Sequence, residues 1–150
     1  MSIKIVNGDL LDATESILGH QVNCQGVMGS GIALALRERH RGLFPRYKQF
    51  CGGGVTPDSL LGRCQLVSCE GKIIANLFGQ LSYGRGRIRY TDYGSLETAL
   101  TELKEIAKFN NLSVALPFNI GCGLANGDWH IVREIISEAF IDYEVTLYRI

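Results

Sequence analysis

The sequence predicts an α/β fold, a mixed and largely parallel sheet with helices on both faces, and three observations carry that prediction. Strand-length apolar runs alternate with helical stretches along most of the chain. Two of those strands run into glycine-rich loops, at 26–31 and 121–127, that open directly onto helices. A single pair of neighbouring strands is joined by a turn short enough for a hairpin, so the remaining connections are crossovers.

The elements follow in order. Ile3, Ile5 and Val6 read as a first strand, stopped by Asn7-Gly8, and Asp12 is in position to cap a short helix over 12–17. A second strand lies within 18–24, followed by the first glycine turn and a helix near 32–40. Pro45 opens a further helical stretch over 46–51, ended by Gly52-Gly53-Gly54, and 55–61 is a loop around Pro57. Segments 62–67 and 72–78 pair as the hairpin, turning at Glu70-Gly71. A loop over 79–91 carries Arg85, Arg87 and Arg89 at alternate positions. Leu96, Leu100, Leu103 and Ala107 then share one helical face behind Ser95 as N-cap. A buried strand over 113–117 leads through the second glycine loop to a helix with Val132, Ile135, Ile136, Ala139 and Phe140 on its apolar face, and 144–149 is the last strand.

Composition bounds the possibilities. The 150 residues suit one domain, 1–150, with 46% hydrophobic and 20% charged residues. Fifteen basic and fifteen acidic residues cancel, so no overall field draws in nucleic acid or an anionic membrane. No apolar run approaches the roughly 20 residues of a membrane span, and the N-terminal segment reads as a strand and not as a signal peptide. The expected location is cytoplasmic, because the five cysteines are odd in number and lack C-x-x-C spacing. With three scattered histidines, a structural metal site is not expected.

A glycine loop at a helix N-terminus gathers free backbone N–H groups at the positive end of the helix dipole, which is a seat for phosphate. One such loop is weak evidence, since glycine at a strand–helix corner is often only turn chemistry; two at strand C-termini suit a crevice gripping a diphosphate. Gly29-Ser30-Gly31-Ile32-Ala33-Leu34 has Leu34 where a dinucleotide fingerprint needs its third glycine, and no acidic residue stands about twenty positions on. The stretch 26–33 has no Gly-Lys-Ser/Thr, which excludes a P-loop.

Together these segments resemble the macro domain, an ADP-ribose-binding α/β module. The matches are Asn7-Gly8-Asp9-Leu10, Val22-Asn23-Cys24, Gly26-Val27-Met28-Gly29-Ser30-Gly31-Ile32-Ala33 and Ile74-Ala75-Asn76-Leu77-Phe78-Gly79-Gln80. They continue with Arg89-Tyr90-Thr91-Asp92-Tyr93, Pro117-Phe118-Asn119-Ile120-Gly121-Cys122-Gly123-Leu124, Asp128-Trp129 and Thr146-Leu147-Tyr148-Arg149, and so span essentially the whole chain. The resemblance is to the branch holding ADP-ribose-1″-phosphate phosphatases and terminal ADP-ribose–glutamate hydrolases. It implies a three-layer macro-domain fold, a monomer, no cofactor and no metal.

The resemblance also implies a site. Asp9, with Leu10 beside it, matches the aspartate that accepts the adenine amino group; as a plain turn residue it would instead be a cap. Tyr148 matches the aromatic placed against adenine, with packing in the core as the other reading. Asn23 falls beside the distal ribose. The first loop (Val27, Met28, Gly29, Ser30, Gly31, Ile32) and the second (Asn119, Ile120, Gly121, Cys122, Gly123, Leu124) would wrap the diphosphate and distal ribose.

The chain departs from the deglutamylating relatives where chemistry is concerned. Gln80 stands near the place of their lysine, and Ala125 in that of their aspartate; a glutamine amide cannot form the covalent adduct. The remaining catalytic candidates are Asn23, Asp128 and His20. Asp128 is equally a helix N-cap, and His20 equally a packed strand residue. His40 and His130 read as helix-surface groups, and Cys24 and Cys122 as small packing residues. The arginine run is a solvated loop face, a contact for RNA or an ADP-ribosylated partner, or a lid over the distal ribose. The expected activity is hydrolysis of ADP-ribose-1″-phosphate. The alternatives are a non-catalytic ADP-ribose reader and a hydrolase that frees ADP-ribose from protein or nucleic acid without a covalent lysine intermediate.

Overall fold

The computed structural model describes residues 2–150. Six strands form one sheet in the order β1-β6-β5-β2-β4-β3: β1 (Ile3–Asn7), β2 (Ile17–Val22), β3 (Cys64–Cys69), β4 (Lys72–Phe78), β5 (Val114–Pro117) and β6 (Val145–Arg149). Every neighbouring pair is parallel except β3 with β4, the hairpin at one edge. The mixed, mostly parallel sheet expected from the alternation is therefore present.

Helices cover both faces, as a parallel sheet requires. On one side α3 (Tyr93–Asn110) and α4 (Trp129–Ala139) pack Leu96, Leu100, Leu103, Val132 and Ile136 against Ile17, Leu77, Leu116 and Leu147. On the other, α1 (Gly31–Arg39) and α2 (Leu43–Cys51) bring Leu36, Leu43 and Tyr47 against Leu18, Val22, Ile74 and Phe78. Each such fully buried side chain contributes roughly 1.5–3 kcal/mol relative to exposure. The central strand β2 is buried at all six positions, polar His20 and Gln21 included.

Four local expectations are corrected. No helix forms over 12–17: Asp9 caps a 3₁₀ turn at Leu10–Asp12, and Ile17 already pairs with Ile73 and Val114 in the sheet. Tertiary burial of Ile17 and Leu18 overrides the local capping signal. The α3 N-cap is Asp92 and not Ser95, whose hydroxyl donates to the Asp92 carboxylate from inside the first turn. Pro45 does not open α2, which begins at Leu43. His40 is buried at the end of α1 instead of lying on a helix surface.

Sheet order places the functional edge. The chain leaves β2 for β3, at the edge beyond β4, and leaves β5 for β6 on the other side, while β2 and β5 are themselves paired. That is a topological switch point, where the loops after two adjacent parallel strands diverge and leave a crevice. The two glycine loops are the loops after β2 and β5.

Candidate functional site

A cavity of about 520 Å³ opens between these loops, and a second of about 240 Å³ adjoins it; Ile32, Pro117, Phe118 and Asn119 line both. The larger is of the size that holds a small organic ligand.

The first loop is shaped by Asn23. Its amide Nδ2 donates to the Val27 carbonyl at 2.8 Å, and its Oδ1 accepts the Gln25 N–H at 2.9 Å. The fully buried Tyr47 hydroxyl reaches in from α2, donating to the Asn23 carbonyl (2.7 Å) and to its Oδ1 (2.9 Å). Burial pushes the Tyr47 hydroxyl well above its usual pKa, so it stays a donor. Ser30 occupies the α1 N-cap without a side-chain cap, and the N–H groups of Gly29 to Ala33 donate to no acceptor among the described residues. These residues line the larger cavity, and free N–H groups at a helix start are suited to an anion. Removing the brace should be measurable: Tyr47→Phe is expected to lower stability by about 1–2 kcal/mol in urea melts, because the Asn23 carbonyl loses its buried donor while Oδ1 keeps only the Gln25 N–H.

The second loop uses left-handed backbone at Asn119 (φ 67°), Gly121 (φ 73°) and Asn126 (φ 61°). Cys122 N–H bonds the Asn119 carbonyl, Gly127 N–H bonds the Gly121 carbonyl, and the Thr91 hydroxyl donates to that same carbonyl at 2.6 Å. The N–H groups of Gly121, Gly123 and Leu124 have no acceptor among the described residues. Two sets of unengaged amides thus border one cavity.

Sequence-singled residues gather as follows. Asn23, Val27, Met28, Gly29, Ser30, Gly31, Ile32, Asn119, Ile120, Gly121, Gly123 and Leu124 line the larger cavity. Asp9, Leu10, Ile32, Asn119 and Tyr148 line the smaller. Asp9 accepts the Leu11 N–H through Oδ1 (3.0 Å), so it caps a turn and borders a cavity at once. The Tyr148 hydroxyl donates to Glu15 Oε1 at 2.7 Å, which fixes its ring at the cavity wall.

Three residues lie elsewhere. Cys122 lines neither cavity; its Sγ donates to the Ile120 carbonyl, and burial raises its pKa to about 11. Asp128 also lines neither: its Oδ1 caps α4 by accepting the His130 N–H at 2.9 Å. His20 is fully buried on β2, with Nε2 2.7 Å from Asn76 Oδ1 on β4, and burial lowers its pKa to about 4. Asn76 Nδ2 donates to Gln65 Oε1, which leaves Oδ1 as acceptor and puts the hydrogen on His20 Nε2. Asp128 and His20, the acid–base candidates, therefore do not stand on the wall of either cavity. Cys24, raised to about 11 by burial first and then by Cys51 and Asp58, is no activated nucleophile either.

Sequence reasoning missed Gln21 as cavity wall, whereas Arg85, with Tyr83 and Tyr90, lines the cavity from the arginine-bearing loop for which a lid was one of the readings. Gln21 Nε2 donates to Gln80 Oε1 (2.7 Å) and to Thr91 Oγ1 (2.9 Å), which joins β2, the 79–91 loop and the second glycine loop. Its position two residues before Asn23, which the period-two alternation of an extended chain puts on the same side, was the available signal. Among the described residues, no group of three or more His, Cys, Asp or Glu is placed to hold a metal, and no helix is long and apolar enough to cross a membrane.

No family model matches the sequence. The macrodomain of Mycobacterium tuberculosis DarG is 31% identical over 97% of this chain and 96% of that one, with a TM-score of 0.82. A DNA ADP-ribosyl glycohydrolase from Mycobacterium bovis is 32% identical over 137 residues, 89% of this chain, which spans 37% of that protein's length. An ADP-ribose 1″-phosphate phosphatase from Scheffersomyces stipitis is 26% identical over 172 residues, covering 95% of this chain and 98% of that protein.

Proposed function

The chain belongs to the macro-domain family, and from that premise we propose that it binds ADP-ribose and hydrolyses ADP-ribose-1″-phosphate to ADP-ribose and phosphate. The adenine takes the smaller cavity, between Asp9 and Tyr148; the diphosphate crosses at Ile32 and Asn119; the distal ribose and its phosphate take the larger cavity.

The observation that carries the reading is the makeup of the larger cavity's wall. Among the described residues it holds two sets of free backbone amides and one charged side chain, Arg85, with no carboxylate, lysine or histidine. Such a wall stabilises negative charge and offers no lysine or carboxylate nucleophile among the described residues for attack at the anomeric carbon. In the hydrolysis, a water oxygen bonds to phosphorus as the bond from phosphorus to the ribose oxygen breaks. One proton of the attacking water passes to the departing ribose oxygen, giving the hydroxyl of ADP-ribose, and the amides hold the charge of the transition state. Asn23 serves as the brace of the first loop, since both ends of its amide are engaged.

The same lack of a free acid–base group on the wall favours a second reading, a binding module without turnover. Three measurements separate the possibilities: calorimetry with ADP-ribose, phosphate release from ADP-ribose-1″-phosphate, and ADP-ribose release from an ADP-ribosylated oligonucleotide. The proposal expects binding, phosphate release and an intact oligonucleotide. Binding without either release would establish the module. Release from the oligonucleotide alone would establish the activity for which the mycobacterial relative is named.

A further inference from the structure

We propose that Arg85 selects ligands carrying a phosphate on the distal ribose, reading the terminal anion that distinguishes the phosphorylated compound from plain ADP-ribose; this rests on the ADP-ribose reading above. Arg85 is the one charged side chain on the wall of the larger cavity, and it has neither an ion-pair nor a hydrogen-bond partner among the described residues. The other arginines of the run are placed differently. Arg89 lies over the Tyr93 ring, 4.3 Å from its centroid, and Arg87 lines neither cavity.

The backbone that carries Arg85 is anchored. Gln80 and Thr91 form a β-bridge at the base of the 79–91 loop, and Asp92 N–H bonds the Gly79 carbonyl at 2.7 Å. The Tyr90 and Thr91 N–H groups both donate to the Ala125 carbonyl, at 2.9 and 3.1 Å. Asn126 Nδ2 donates to the carbonyls of Gly86 (3.0 Å) and Ile88 (2.6 Å). Within this frame Gly84-Arg85-Gly86 wraps the Tyr90 hydroxyl, which accepts the Gly86 N–H at 3.2 Å. A Cβ on Gly84 would collide with that hydroxyl, and one on Gly86 would come within 2.9 Å of it. The two glycines therefore let the chain close around Tyr90 and hold the Arg85 backbone at the cavity wall.

The chemistry follows from charge and shape. A phosphate monoester is close to dianionic at neutral pH, and a guanidinium meets two of its oxygens with paired N–H donors. The diphosphate already has the two amide sets of the glycine loops. An unpaired cation on the 79–91 loop adds selectivity only for a ligand that carries a further anion.

The test is calorimetry of the parent chain, Arg85→Ala and Arg87→Ala, each with ADP-ribose and with ADP-ribose-1″-phosphate. The proposal expects the parent to prefer the phosphorylated ligand. Arg85→Ala should lose that ligand's affinity by roughly tenfold to a hundredfold while keeping its affinity for ADP-ribose, and Arg87→Ala should behave as the parent. Equal weakening of both ligands by Arg85→Ala, or weakening of neither, overturns the assignment while leaving ADP-ribose binding standing. A parent chain that binds neither ligand overturns the ADP-ribose reading and this assignment with it.

Discussion

Lowering the pH from 7 to 4 is expected to remove about 3 kcal/mol of unfolding free energy, with His20 as the main source. The imidazole is fully buried, and burial depresses its pKa from 6.5 to about 4, partly offset by the Asn76 hydrogen bond. At roughly 1.4 kcal/mol per pH unit, that displacement gives the figure above. The sign follows from the protons bound. Between 6.5 and about 4 the unfolded chain holds a proton on His20 that the native chain refuses, so stability rises with pH across this window and falls as acid is added. Protonation would place a hydrogen on Nδ1, which has no partner among the described residues. His40, also buried and lowered by burial, adds in the same direction. Asp142 is held at about 2 by Lys104 and Lys108, so most of its acid loss falls below this window. Urea melts at several pH values check the expectation, and a His20→Gln variant should flatten the slope while still donating to Asn76. A slope unchanged in that variant would assign the effect to other groups.

Gly121→Val is expected to weaken ADP-ribose at least tenfold and to cost about 1–3 kcal/mol of stability, since a β-branched residue is strained in left-handed backbone. Gly121 has φ 73°, and a Cβ there would stand 3.0 Å from Gln21 Oε1 and 3.1 Å from Thr91 Oγ1. Thr91 Oγ1 and the Nε2 end of the same Gln21 amide belong to the network joining β2 to the 79–91 loop and the second glycine loop, so the strain is passed to the cavity wall. At this chain length the stability cost lowers Tm by roughly 5 °C. Gly123→Ala is the control for stability, because its Cβ meets nothing within 4 Å and its φ is not positive. Calorimetry and thermal melts of the two variants check it. Equal melting temperatures would show that the second loop yields without cost.

Much of the fold was legible because it depends on periodicity. The hairpin turn at Glu70-Gly71, the apolar face of α3 and the alternation of strands and helices are local patterns that repeat at the spacing of their elements. The boundary near Asp12 was not legible, since whether Ile17 joins a helix or a strand depends on the β4 and β5 backbones beside it. His40 was misread for a similar reason: one turn of helix does not show what will pack over its end.

The site divides along the same line. The sequence by itself determined the two glycine loops, because glycine and asparagine at left-handed positions and free amides ahead of a helix are properties of a few adjacent residues. It also determined what the wall lacks, since Gln80 and Ala125 are the residues they are wherever the chain folds. Only the tertiary structure decided that Asp128 and His20 serve helix and sheet instead of the cavity, and that Asn23 spends its amide on the loop around it. It alone brought Asn126 against Gly86 and Ile88, and so put Arg85 on the wall of a cavity built from residues tens of positions away on either side. The physical reason is one of range. Backbone preference acts over a few neighbouring residues, while the partner that a side chain finds is set by which strands the sheet has made adjacent.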